Sequence, residues 1–349
     1  IYSRYLATHP TVEAWLQLAT SPIRRLSSWL QGKTDERPFL DTSRMFDVEH
    51  AATSFIEERE SPFFLWIHYM DAHTPYVPAP RYIREVSSNV LGTHRMIHAH
   101  TRTGLGWEVG ERTLSDLRTL YQAAVRQIDA SIGRLLSALS ENGVRDETAV
   151  VVAGDHGEEF QDHGHLAHYP KLYDELIRVP LVVDVPGTDG RRIDEHVGLD
   201  SVPPTVTDLL DIEPPEEWCG ETLTPSVFEG EVPTDEPVVT VTVRGEEVTT
   251  QPIPRSLRDG DLLVSVRDEA WTYIENIDQG TEELYYRPDD PTEQTDLSGD
   301  GGSEKKRVLD RFGSIAEGHA RLLRSQTGEE SDRDVDEDLE QRLEALGYR

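Results

Sequence analysis

"VVVAGDHGEEFQDHGHLAHYPKLYDELIRVPLVV" (residues 150–183) sets two apolar runs around a loop crowded with histidines and carboxylates. "AVVVAGD" reads as a buried strand, and "VPLVVDVPG" (179–187) as another. Asp155 and His156 directly follow the first run. In an open α/β sheet, ligands gather beyond the carboxyl ends of the strands. A carboxylate oxygen and an imidazole nitrogen there can share one divalent cation. Gly154 and Gly157 are expected to permit the tight turn that aims both side chains outward. Asp-His-Gly alone is better accounted for by a surface turn, so its setting decides.

Upstream, "SPFFLWIHYMD" (61–71) is a short, nearly continuous apolar run and predicts a third buried strand. It brings His68, Asp71 and His73 to a strand end. His68 lies inside the run and reads as a core histidine. His73, before Thr74-Pro75, is placed to donate a hydrogen bond to an anionic oxygen. Asp71 reads as a turn former or as a partner behind the metal ligands.

Residues 1–60 look helical and mixed, and 80–112 read as a polar excursion with short helices. From Thr113 to about Ser140, Leu117, Tyr121, Ala124, Ile128, Ile132, Leu135 and Leu139 recur at helical steps. Asn142-Gly143 ends that helix. "DSVPPTVTDLLDIEPPEE" predicts a short helix with a proline-rich exit. After about residue 230, alternating runs such as "PVVTVTVR", "LLVSVRDEAWTYIEN" and "EELYYRP" predict a small antiparallel sheet. The end, 303–349, reads as helix with an acidic, solvated stretch. The expected division is an α/β domain over 1–235 and a small-sheet subdomain over 236–349.

The 349 residues carry a net charge of −32, and only Lys33, Lys171, Lys305 and Lys306 are lysine. Carboxylates spread along the whole chain with so little lysine fit a protein kept soluble in high salt. General affinity for nucleic acid needs clustered Lys and Arg and is not expected. Anionic membrane surfaces are disfavoured for the same reason. The lone Cys219 excludes an internal disulfide and reads as an inert thiol. No apolar run approaches the ~20 residues of a spanning helix.

Taken in order, these segments resemble the sulfatases of the alkaline phosphatase superfamily. "PFFLWIHYMDAHTPY" resembles the family strand that ends in a substrate-contacting histidine. The stretch from "YQAAVRQID" to "RVPLVV" resembles its helix, metal strand and following loop. "SVRDEAWTYIEN", "EELYYRPDDPTEQTDL" and "RLEALGY" resemble its small C-terminal part. The resemblance implies a mixed, mostly parallel sheet sandwiched by helices, with a small antiparallel β subdomain. It implies that Asp155 and His156 are a metal-ligand pair and that His73 contacts the sulfate ester. His168 falls where many members carry a lysine for the sulfate or leaving-group oxygen, which ties its charge to near-neutral pH. His163-Gly164 matches a His-Gly near the site, expected to support it from behind. The implied cofactor is one divalent metal, Ca2+ first, with Mg2+, Mn2+ or Zn2+ as alternatives.

The same resemblance requires a first Asp pair and a nucleophile in a Cys/Ser-x-Pro-x-Arg motif. "TSPIR" (20–24) has a related form, but no Asp precedes it in residues 1–19. The expectation is that the N-terminal portion of the family is missing and that this chain alone is inactive or binds metal weakly. "HGHLAH" (163–168) has the His spacing of some dinuclear zinc hydrolases, but Ala167 stands where those carry a ligand Asp. The expected function is sulfuric ester hydrolysis of a small substrate. The alternatives are a phosphate or phosphonate ester hydrolase, a phosphoglycerol transferase, or a non-catalytic binding protein on the same scaffold.

Overall fold

The computed structural model describes residues 45–59, 62–88, 93–104, 108–216, 218–233, 236–243 and 261–326. "TSPIR", the residues before Met45 and the acidic end after Gln326 lie outside them. Two compact units divide the chain, the first ending at Thr148 and the second beginning at Ala149. The boundary expected near 235 lies within the second unit.

In the first unit, helices α1 (Met45–Glu58), α2 (Pro80–Val86) and α3 (Thr93–Gly104) all pack on α4 (Glu111–Glu141). Helix α4 buries Leu117, Leu120, Ala124, Leu135, Ala138 and Leu139 along one stripe, close to the face its periodicity predicts. Glu49 of α1 takes both Arg134 nitrogens at 2.7 and 2.6 Å. Asn142 caps α4, and Gly143 turns out at φ 68°, where a Cβ would be strained.

The expected strand at 61–71 is not one. Residues 62–70 form no ladder, and Phe64 and Trp66 are 68% and 74% exposed. A strand buried on both faces needs a pairing neighbour, and no described segment supplies it. The helices expected within 80–112 are α2 and α3.

In the second unit, β1 (Val150–Ala153) pairs antiparallel with β4 (Leu181–Asp184), Val151 facing Val183. Both runs are strands, but they are only partly buried, and among the described residues their ladder has two strands. Between them a short ladder joins β2 (Glu159–Phe160) to β3 (Leu166–Ala167), followed by one turn of helix, α5 (Asp174–Ile177). Beyond β4 come α6 (Val202–Leu209), on the predicted short helix, and α7 (Thr224–Phe228). Cys219 is exposed and forms no disulfide.

The predicted small sheet is a meander of β5 (Val238–Val243), β6 (Leu262–Arg267), β7 (Trp271–Asn276) and β8 (Thr281–Tyr286), all antiparallel. Strand β6 is buried along its whole length, so both faces are covered. Leu262, Val264 and Val266 join Trp271, Tyr273 and Leu284 beneath Phe312, Ala316 and Ala320 of α8 (Ser303–Gln326). The alternate residues Leu263, Ile274 and Tyr285 pack against Leu172 and Tyr173. The period of two therefore splits the sheet between a helix on one side and the histidine-rich loop on the other. Among the described residues no helix is long and apolar enough to cross a membrane.

Candidate metal and anion site

Asp155 stands exposed one residue past Gly154, beyond the end of β1. Its Oδ1 accepts the His156 backbone N–H at 3.0 Å. The His156 Nδ1–H donates to the Gly157 carbonyl at 2.8 Å. That bond leaves Nε2 carrying the lone pair, the arrangement a metal-binding imidazole needs.

The two glycines do a different job from the one expected. Neither takes a left-handed φ. A Cβ on Gly157 would sit 1.9 Å from the Glu175 carbonyl oxygen, and one on Gly154 would press on Val179 and Pro180. Gly157 N–H donates to Leu176 O at 2.7 Å, and Glu158 N–H to Glu175 O at 3.0 Å. Gly157 lets the segment after β1 lie directly on the α5 backbone, and Gly154 makes room for Val179 and Pro180.

His168 comes back beside His156, with ring centroids 4.6 Å apart and planes inclined by 36°. Its Nδ1 lies 3.4 Å from Oε1 of Glu158, whose side chain is 2% exposed. Asp155, His156 and His168 line one cleft of about 1170 Å³.

His163 is held elsewhere. Its Nδ1 donates to Glu175 Oε1 at 2.5 Å and its Nε2 to the Glu293 carbonyl at 2.8 Å. Both nitrogens donate, which describes an imidazolium. Burial opposes that charge, but the Glu175 and Glu293 hydrogen bonds outweigh it and raise the pKa above the usual imidazole value.

The loop carboxylates do not all face solvent. Asp162 is exposed, but Glu158, Glu159 and His165 are buried. Glu159 Oε1 accepts the N–H groups of His163 and His165 at 2.8 and 2.7 Å, so the carboxylate organises the turn from inside. His165 stacks on Tyr169. Nothing in the spacing of Glu158-Glu159 separates such carboxylates from exposed ones.

A second buried network was also missed. Arg267 donates to Asp174 and, at 2.7 Å, to Glu293 Oε1, while Glu293 Oε2 accepts the Asp174 N–H at 2.8 Å. Burial raises the Glu293 pKa, with Arg267 opposing. Arg287 donates to His196 Nε2 at 2.9 Å; burial first, then the Arg287 charge, lowers the His196 pKa.

Asp71 and His73 belong to the first unit. Asp71 Oδ1 accepts Gln127 Nε2 at 2.9 Å, and Gln127 Oε1 accepts the Ala79 N–H at 2.8 Å. This fastens the turn to α4. His73 Nδ1 donates to the Thr74 carbonyl at 2.7 Å. His68 is half-buried, with Nε2 3.1 Å from Met70 Sδ.

The Asp155 carboxylate and the His156 Nε2 lone pair are donor types that a divalent cation accepts. Among the described residues no group of three or more His, Cys, Asp or Glu converges to close a metal centre.

Residues 23–212, more than half of the chain, match the family model described as Sulfatase. The chain belongs to the sulfatase family. It is similar to the multifunctional alkaline phosphatase superfamily protein PehA of Trinickia caryophylli, 29% identical over 233 residues. That match covers 57% of this sulfatase-family chain and 44% of the relative, so the chain spans less than half of that protein's length. Among solved structures it resembles the phosphonate monoester hydrolase of Agrobacterium radiobacter, with TM-score 0.60 and 21% identity over 82% of this chain and 61% of the other. It also resembles BT4656 in complex with its substrate D-glucosamine-2-N,6-O-disulfate, with TM-score 0.61 and 19% identity over 83% and 71% of the two chains. These likenesses establish the alkaline phosphatase-like α/β fold with its small C-terminal antiparallel sheet.

Proposed function

We propose that this chain carries part of the active site of a sulfuric ester hydrolase. The observation that supports it most is the convergence of Asp155, His156 and His168 on one cleft just past the end of β1. In this reading Asp155 and His156 hold one divalent metal, Ca2+ first, from one side. Bound there, the metal supplies charge neutralisation for the ester oxygens. His168 presents its imidazole to the sulfate or leaving-group oxygen. His73 is assigned contact with the sulfate ester by family resemblance alone. Asp71 acts through the turn it fastens, and His163 through the loop it holds. The formylglycine or Ser/Thr nucleophile and the remaining metal donors come from outside the described residues. The substrate is a small sulfated ester.

A second reading is hydrolysis of phosphate or phosphonate esters, or phosphoglycerol transfer. It is favoured by the similarity to PehA and to a phosphonate monoester hydrolase. Calorimetric titration with Ca2+ or Zn2+, together with assays on an aryl sulfate and an aryl phosphonate, tests both. The expected result is weak metal binding that Asp155→Ala abolishes, and no turnover by this chain. Tight stoichiometric binding unaffected by Asp155→Ala would overturn the assignment of the metal pair. Turnover of the phosphonate in preference to the sulfate would favour the second reading.

A further inference from the structure

Glu158 and His168 lie immediately outside the pair Glu159–Ala167 of the β2–β3 ladder. The register therefore continues from backbone pairing to a side-chain pair, the Glu158 carboxylate 3.4 Å from the His168 Nδ1. The two partners differ in setting. The Glu158 side chain is 2% exposed, whereas that of His168 is 33% exposed and lines the cleft. The backbone that carries the carboxylate is fastened, because the Gly157 and Glu158 amides are hydrogen-bonded to the carbonyls of Leu176 and Glu175. The close approach at Gly157 leaves no room for the backbone to shift. On its other side the imidazole meets the His156 ring.

An imidazole has two chemically distinct nitrogens, and which one carries the proton is set by the partner of the other. A fixed acceptor behind Nδ1 settles the ring's tautomer and its rotation together. We propose that Glu158 is a positioning residue for His168: it accepts Nδ1–H and holds the ring with its Nε2 edge turned from the carboxylate towards the cleft that His168 lines. The assignment rests on the hydrolase reading for the ligand, but the Glu158–His168 geometry stands without it.

The test uses the full chain labelled with 15N at histidine and long-range 1H–15N correlation. It is run at about pH 8.5, above the usual imidazole range. The His168 signals are identified by their loss in His168→Gln. The expected result is Nδ1 protonated and Nε2 bare in the natural chain. Glu158→Gln, whose amide oxygen still accepts, keeps that form. Glu158→Leu moves most of His168 to the Nε2-protonated form. The proposal is overturned if His168 of the natural chain is already Nε2-protonated, or if the leucine variant gives the natural spectrum. Should the leucine variant not fold, the natural chain decides by its tautomer. A separate titration with inorganic sulfate addresses the ligand. Sulfate is expected to shift the His168 Nε2 signal, and several-fold less in Glu158→Leu. The expected tautomer without any response to sulfate would leave the role of Glu158 intact and overturn the hydrolase reading of His168.

Discussion

His163 and Tyr173 stack face to face, ring centroids 3.6 Å apart and planes 5° from parallel. Tyr173 in turn packs on Tyr285 of the small sheet and donates to Glu283 at 2.8 Å. His163 thus couples the loop after β1 to α5 and to the C-terminal sheet. Replacing it by alanine removes the stack and strands the Glu175 carboxylate. The expected cost is about 1–3 kcal/mol for the lost hydrogen bonds. Urea unfolding of His163→Ala against the natural chain measures it, and an unchanged midpoint would refute the tie.

The same residue gives stability a pH dependence. Its folded pKa lies above the unfolded value, because Glu175 and Glu293 outweigh burial. Below about pH 6.5 the proton is bound in the unfolded chain too, and the stabilisation is fully present. It is lost as pH rises through the raised folded value. Thermal midpoints should therefore fall more steeply across neutral pH in the natural chain than in His163→Gln. Parallel slopes would show that other groups govern the trend.

Gly157→Ala places a methyl group 1.9 Å from a backbone oxygen that has nowhere to go. A loss of about 1–3 kcal/mol is expected from such overpacking. The same change at Gly164, which has open space but φ 86°, acts only through backbone strain. Comparing the two variants by calorimetry separates close packing from turn conformation.

Arg267→Met should be costly because Glu293 stays behind, its side chain fully buried. Breaking such a pair from one side costs about 3–5 kcal/mol. The double variant Arg267→Met with Glu293→Gln is expected to recover part of that loss. A double variant no better than the single would show that Glu293 is not the group left uncompensated.

The parts of the fold readable in advance were those with their own periodicity. Helix α4 shows its stripe at three- and four-residue steps, and β6 to β8 show alternation between turns. Asp155 and His156 were found because they follow an apolar run. The misreadings share one physical cause, which is that pairing is not a local property. "FFLWI" has the composition of an inner strand, but Phe64 and Trp66 meet no ladder among the described residues. Glu159 has the composition of a surface residue, but two backbone N–H groups six residues downstream or nearer turn towards it.

The small sheet has two faces, and only one belongs to α8. Because Leu172 and Tyr173 rest on the other, the loop bearing His163 and His168 lacks its floor until residues beyond Leu262 have been made. During synthesis Asp155 and His156 emerge about a hundred residues earlier than that floor, a wait of roughly 5–20 s at the usual rate of elongation. Asp155 and His156 are thus among the first parts of this unit to leave the ribosome, and their loop among the last to settle.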